Sequence, residues 1–185
     1  MRQEKSKSPV SFRVSVGRLP QKGMPVTVEA DAAQRQSLAA CHGLASVERY
    51  RAELLVTPWK RRGVRVEGTV EASITQQCVV TLEPVHSEIR EAVEGLFLPE
   101  DSKLGRLGFE DGGEIMLDAD GPDRPETFTG DSIDVGALAE EFFALAIDPY
   151  PRKPGAVLPA AGGDEQGKTP GGPLQQKLEA LTRKS

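Results

Sequence analysis

An α+β fold, mainly an antiparallel β-sheet or partly open barrel with two packed helices and a disordered C-terminal tail, is what this sequence predicts. Three observations carry that reading. Residues 47–58 and 64–78 are two long alternating runs on either side of a short basic, glycine-ended tip, and alternation places every second side chain on one face of a strand. Asp31 and Asp134 each precede a stretch with helical apolar spacing, as capping residues do. Beyond Arg152 the composition turns to Gly, Pro, Ala, Lys and Glu, which cannot bury enough apolar surface to order a chain.

Taken in order, Ser11 to Val16 alternates so that Phe12, Val14 and Val16 share one face of a first strand, and Val26 to Ala30 alternates again. Asp31 caps a helix over about Ala32 to Cys41, with Leu38 and Cys41 on one side and Gly43 as its stop. The first long run carries Val47, Tyr50, Leu54 and Val56; the second carries Val64, Val66, Gly68, Val70, Ala72, Ile74 and Gln76 in strict period two. Trp59-Lys-Arg-Arg-Gly63 joins them into a hairpin, with Gly63 placed to take the positive φ such a turn demands. Cys78 to Pro84 continues apolar and reads as further buried strand. Ile89, Glu91, Val93, Gly95 and Phe97 fit a strand, although Ile89, Val93 and Leu96 also suit a helix. Residues 100–132 are acidic and rich in Gly, read as a long flexible connection with room for one short strand. Asp134 then caps a helix from Val135 to about Ile147, with Leu138, Phe142, Leu145 and Ala146 on one face and Asp148-Pro-Tyr-Pro151 ending it. Residues 1–152 thus form one domain. Residues 153–185 form a tail ending in a short amphipathic helix, 174–183, whose Leu174, Leu178 and Leu181 are candidate partner-binding residues.

Composition narrows the function. The 185 residues hold two cysteines and two histidines without a Cys-x-x-Cys pair, too few and too scattered for a structural zinc site. Cys41 and Cys78 are therefore expected as reduced, mostly buried thiols. The charged N-terminus lacks an apolar signal core, and no segment approaches ~20 apolar residues, so the expected setting is cytoplasmic without a membrane partner. The net charge of −5 disfavours a chain that coats nucleic acid but leaves room for a local basic patch. No phosphate loop or dinucleotide fingerprint is present, so neither a cofactor nor a small-molecule substrate is expected.

Cys78 is the obvious nucleophile, but Gln77, Val79 and Val80 supply neither base nor positive charge, and His86 could approach only across a turn. Cys41 and His42 sit where a helix dipole disfavours a thiolate. The acidic residues Glu110, Asp111, Glu114, Asp118 and Asp120 lack the spacing of a calcium loop. The hairpin tip is different. Trp59, Lys60, Arg61, Arg62 and Arg65 set four cations beside one indole, a combination that pairs with phosphates while the ring stacks on a base.

Gln76-Gln-Cys-Val-Val-Thr-Leu-Glu-Pro-Val85, preceded by Gly63-Val-Arg-Val-Glu-Gly-Thr-Val-Glu-Ala72, resembles the YceD family of large ribosomal RNA subunit accumulation proteins. The segment Ile133–Pro151, a helix followed by a proline-bearing stretch, and the closing Pro173–Lys184 are similar to the family's ending. The Cys-Val-Val-Thr-Leu-Glu-Pro form resembles an alphaproteobacterial branch, whereas many members carry Cys-x-x-Cys-Leu. Thr81 stands where the second Cys would be, which argues against a metal or redox role for that pair in this chain. The resemblance implies a non-enzymatic factor in the synthesis, processing or stability of large-subunit ribosomal RNA, partnered with that RNA or its precursor particle. It carries over no catalytic residue. The alternative is an adaptor that holds a ribosomal protein or another assembly factor through the acidic loop and the Leu174/Leu178/Leu181 helix.

Overall fold

The computed structural model describes residues 8–100, 102 and 125–156. Its elements are β1 (Arg13–Ser15), β2 (Met24–Glu29), α1 (Ala32–His42), β3 (Ser46–Trp59), β4 (Gly63–Gln77), β5 (Pro84–Pro99), β6 (Glu126–Phe128), β7 (Ser132–Asp134) and α2 (Val135–Ala146). Two units are distinguished, Met1–Lys153 and Pro154–Ser185. All the elements named lie in the first. The expected helix 174–183, with Leu174, Leu178 and Leu181, and the acidic segment 103–124 fall outside the described residues.

The two long alternating runs pair antiparallel without a break from Trp59↔Gly63 to Arg49↔Ser73, then on to Ser46↔Thr75 past a bulge between Val47 and Arg49. The bulge matters because it switches parity. Val47 and Tyr50 are an odd number of residues apart, yet both are buried, which an unbroken strand forbids. β5 pairs with β4 along nearly its whole length, from Gln77↔Pro84 to Val64↔Phe97, so the strand reading of 89–97 holds over the helical one. The sheet order is β2-β3-β4-β5-β6, antiparallel except for β6, which lies parallel to Phe97–Pro99. The sheet is open. A separate two-stranded sheet joins β1 and β7.

One face of the large sheet builds the core. Val64, Val66, Val70, Ala72 and Ile74 of β4 are completely or almost completely buried, each aliphatic side chain contributing roughly 1.5–3 kcal/mol by leaving water. α1 packs on β3 and α2 on β4 and β5. The two helices meet at Phe143, whose ring receives Tyr50 and His42 edge-on, each at a centroid distance of 5.4 Å. His42 Nε2 also lies 3.0 Å from Glu140 Oε1, tying the end of α1 to α2.

Both helix caps form as the sequence requires. Asp31 and Gln34 make a reciprocal capping box, and Gly43 ends α1 at φ 64°. Asp134 accepts the Ala137 N–H at 3.0 Å and, from the N-terminal segment, the Phe12 N–H at 2.9 Å and the Ser11 hydroxyl. Gly136 permits this docking. A Cβ there would stand 2.0 Å from the Val10 carbonyl oxygen.

The structure corrects several sequence expectations. Phe12 precedes β1 and is exposed, because the chain there turns to reach Asp134 rather than running on as strand. In α2 the buried stripe runs through Val135, Leu138, Ala139 and Phe143. Leu145 lies at the margin of that stripe, in the last turn, and is exposed. Cys41 is exposed rather than buried. The positive φ at the hairpin tip belongs to Arg62, at 65°, while Gly63 is extended at −72°. Cys78 is buried as expected but lies just beyond β4, in a turn and not in a strand.

Candidate nucleic-acid interface

β3 and β4 hold the tip residues between them. Trp59 closes β3 and is half-buried, and Lys60–Arg62 form a single 3-10 turn. Lys60 Nζ lies 5.8 Å from the Trp59 ring centroid, within cation–π range. Gly63 is required here for lack of a side chain, since a Cβ would stand 2.9 Å from Leu98 Cδ2 and 3.1 Å from the Lys60 and Phe97 carbonyl oxygens. The tip thus gathers Trp59, Lys60, Arg61 and Arg62 in consecutive positions and sets Arg62 in the left-handed region, an uncommon conformation for a side chain of that size.

Arg65 is set apart from them. It lies in β4, opposite Thr57 and Leu96, with Nη2 2.8 Å from Glu94 Oε1 and 3.0 Å from Glu67 Oε1. The hydrogen bond to Glu94, followed by the charge of Glu67, raises its pKa further. Arg65 belongs to a larger pattern on the solvent face of the sheet. Arg49 contacts Glu71 and Glu88, Arg51 contacts Glu53, and Arg90 contacts Glu71. These exposed pairs each contribute only about 0–1 kcal/mol. Among the described residues these pairs give the face no excess of positive charge of the kind a sheet-face RNA reader uses.

Two arrangements escaped sequence reasoning. Along one cross-strand row, the Thr75 hydroxyl lies 2.7 Å from Glu48 Oε1 and 2.8 Å from His86 Nδ1, linking β3, β4 and β5. Burial would raise the Glu48 pKa, but hydrogen bonds from Ser46 and Thr75 outweigh it and hold the carboxyl below its usual range. Only the bulge in β3 brings Glu48 to Thr75, and a bulge leaves no periodic mark in the sequence.

The second is the Cys78 turn. Leu82 N–H donates to the Cys78 carbonyl at 2.9 Å, and Cys78 N–H to the Glu83 carbonyl at 2.8 Å. The chain after α2 closes over this loop: Val79 N–H donates to the Pro151 carbonyl at 2.9 Å, and Lys153 Nζ lies 3.0 Å from Glu83 Oε2. The backbone N–H groups of Lys153 and Thr81 both point at Cys78 Sγ, each at 3.4 Å. The Lys153 N–H first, and Thr81 next, draw the thiol down to about 6. The positive setting missing from the flanking residues is therefore supplied by a segment 75 residues downstream. His86, committed to Thr75, is no base for this sulfur.

Among the described residues no group of three or more His, Cys, Asp or Glu side chains could hold a metal, and no helix is long and apolar enough to cross a membrane. A family model described as large ribosomal RNA subunit accumulation protein YceD matches residues 66–180, more than half of the chain. No curated protein and no solved structure compared with the chain matches it.

Proposed function

Because the chain belongs to the YceD family, we propose that it supports the synthesis, processing or stability of large-subunit ribosomal RNA by binding a precursor of that RNA, without catalysing a reaction on it. The family is named for accumulation of this RNA and not for an enzymatic activity. That match carries the reading. Our reading places it in the cytoplasm, with a ribosomal precursor particle as partner.

The tip is the part of the surface this reading favours. Trp59, Lys60 and Arg62 stand at the end of a hairpin whose flanks are paired strand to strand, and Arg61 lies between them in sequence. Arg65, held by Glu67 and Glu94, has to release both carboxylates before gripping a phosphate. Removing one cation that neutralises a phosphate lowers the slope of log affinity against log salt by about one unit.

A salt titration of binding to a precursor fragment of large-subunit ribosomal RNA tests this assignment. The Lys60→Gln/Arg61→Gln/Arg62→Gln variant is expected to reduce the slope by about two to three units, which follows from one released counterion per neutralised phosphate. Arg65→Gln is expected to reduce it by less than about one, since its pairing already competes with phosphate. Equal slopes for the parent and the triple variant would move the RNA-binding surface elsewhere.

A further inference from the structure

On the reading above the tip meets phosphates irrespective of sequence, and the cavity beside it has a different chemistry. Its volume is about 690 Å³, and its lining includes the apolar Val16, Pro99 and Phe128 and the charged Arg62, Glu100 and Asp131. Backbone bonds fix this arrangement. Pro99 and Phe128 are register partners in the β5–β6 pair. Glu100 N–H donates to the Phe128 carbonyl at 3.2 Å, and Val16 N–H to the Asp131 carbonyl at 2.7 Å. Arg62 belongs both to this wall and to the tip.

With two acidic residues against one arginine, the lining disfavours a phosphate as the occupant. What suits the lining is a flat ring with apolar faces and hydrogen-bond donors along one edge. Unstacked nucleobases have that form, and single-stranded RNA is read by stacking such bases on aromatic or guanidinium planes while their edges are hydrogen-bonded. Among the four bases, guanine alone offers two adjacent donors, N1–H and the N2 amino group, to a single carboxylate. Cytosine and adenine offer one amino group each, and uracil only N3–H. We propose that this cavity takes one unstacked guanine of the RNA whose phosphates the tip holds, with Glu100 or Asp131 receiving the guanine edge and Phe128 and Arg62 flanking the ring. The proposal rests on the RNA-binding reading and adds base preference to it.

The test is fluorescence anisotropy of the full chain with three labelled ribo-heptamers: seven uridines, the same strand with a central guanosine, and the same with a central inosine, which lacks the N2 amino group. The guanosine strand is expected to bind about tenfold or more tightly than the other two, the scale of a good bidentate bond to a base edge. In Glu100→Gln/Asp131→Asn the ratio of guanosine-strand to uridine-strand affinity is expected to fall to about one, whatever the change in uridine-strand affinity. Equal binding of all three strands by the parent chain, still weakened by neutralising the tip, overturns the guanine site and leaves the RNA reading standing. Failure to bind any strand overturns both. A carboxylate variant that binds all three strands more tightly and keeps their ranking shows that the two acids only repel phosphate, and also defeats the proposal.

Discussion

Arg62 occupies a backbone conformation that glycine adopts at no steric cost. Replacing it with Gly is expected to raise stability by about 1 kcal/mol, from relief of a left-handed residue bearing a Cβ. The same change removes a cation from the tip and is expected to weaken RNA binding. Urea unfolding and a binding isotherm on one Arg62→Gly preparation check both signs, and a loss of stability would mean that the side chain holds the turn. Gly63 is the reverse case. Gly63→Ala is expected to cost about 1–3 kcal/mol through forced shifts against Leu98 and the neighbouring carbonyls. Tyr50 presents another residue-scale conflict, since its hydroxyl is buried without a hydrogen-bond partner among the described residues, and burial, then Glu140, raise its pKa. Tyr50→Phe is expected to stabilise the fold by up to about 1 kcal/mol, the cost of an unmet hydroxyl, readable as a higher Tm.

The two thiols separate by environment. Cys41 is exposed and Cys78 fully buried, so iodoacetamide under native conditions is expected to label Cys41 first despite the lowered pKa of Cys78. Mass spectrometry of the time course decides the order. For stability the sign follows from the depressed folded pKa. A thiol near 6 in the fold, against about 8.5 when unfolded, stabilises the fold fully above the unfolded value and loses that contribution as pH falls toward 6. Cys78→Ala is expected to flatten this slope between about pH 9 and 6, and an unchanged slope would show that the sulfur does not titrate in the fold.

Among the elements, α2 depends on one carboxylate. Burial pushes the Asp134 pKa up, but hydrogen bonds from Ser11, Ala137 and Phe12 outweigh it and hold the group below its usual range. Its contribution is therefore present above the unfolded value near about 4 and disappears as pH falls through the lower folded value. Asp134→Ala is expected to cost about 1–2 kcal/mol at neutral pH, the range of strong helix caps, and to remove part of the acid sensitivity of unfolding. How much of each element was legible follows the range of the forces that shape it. The hairpin and both caps were readable because period two and an Asp before an apolar run act over a few residues. The parity switch at Glu48 was not, since β4 decides where β3 bulges. The turn at Cys78 was not, because its donors arrive from Lys153. At the tip, cation and aromatic composition marked Trp59 to Arg62, but only cross-strand register brings Glu94 of β5 to Arg65.

For the whole molecule, the sheet divides the chain's chemistry. Its inner face buries an aliphatic core under two helices, its outer face balances arginine against glutamate, and the basic tip extends from one end. Membership in the YceD family joins that architecture to large-subunit ribosomal RNA. The most direct test is ultraviolet crosslinking in growing cells, with sequencing of the RNA recovered on the parent chain and on Lys60→Gln/Arg61→Gln/Arg62→Gln at matched expression. Crosslinks concentrated on large-subunit ribosomal RNA precursor and largely abolished in the variant are the predicted result. Crosslinks unchanged by the variant, or absent from that RNA altogether, would contradict it.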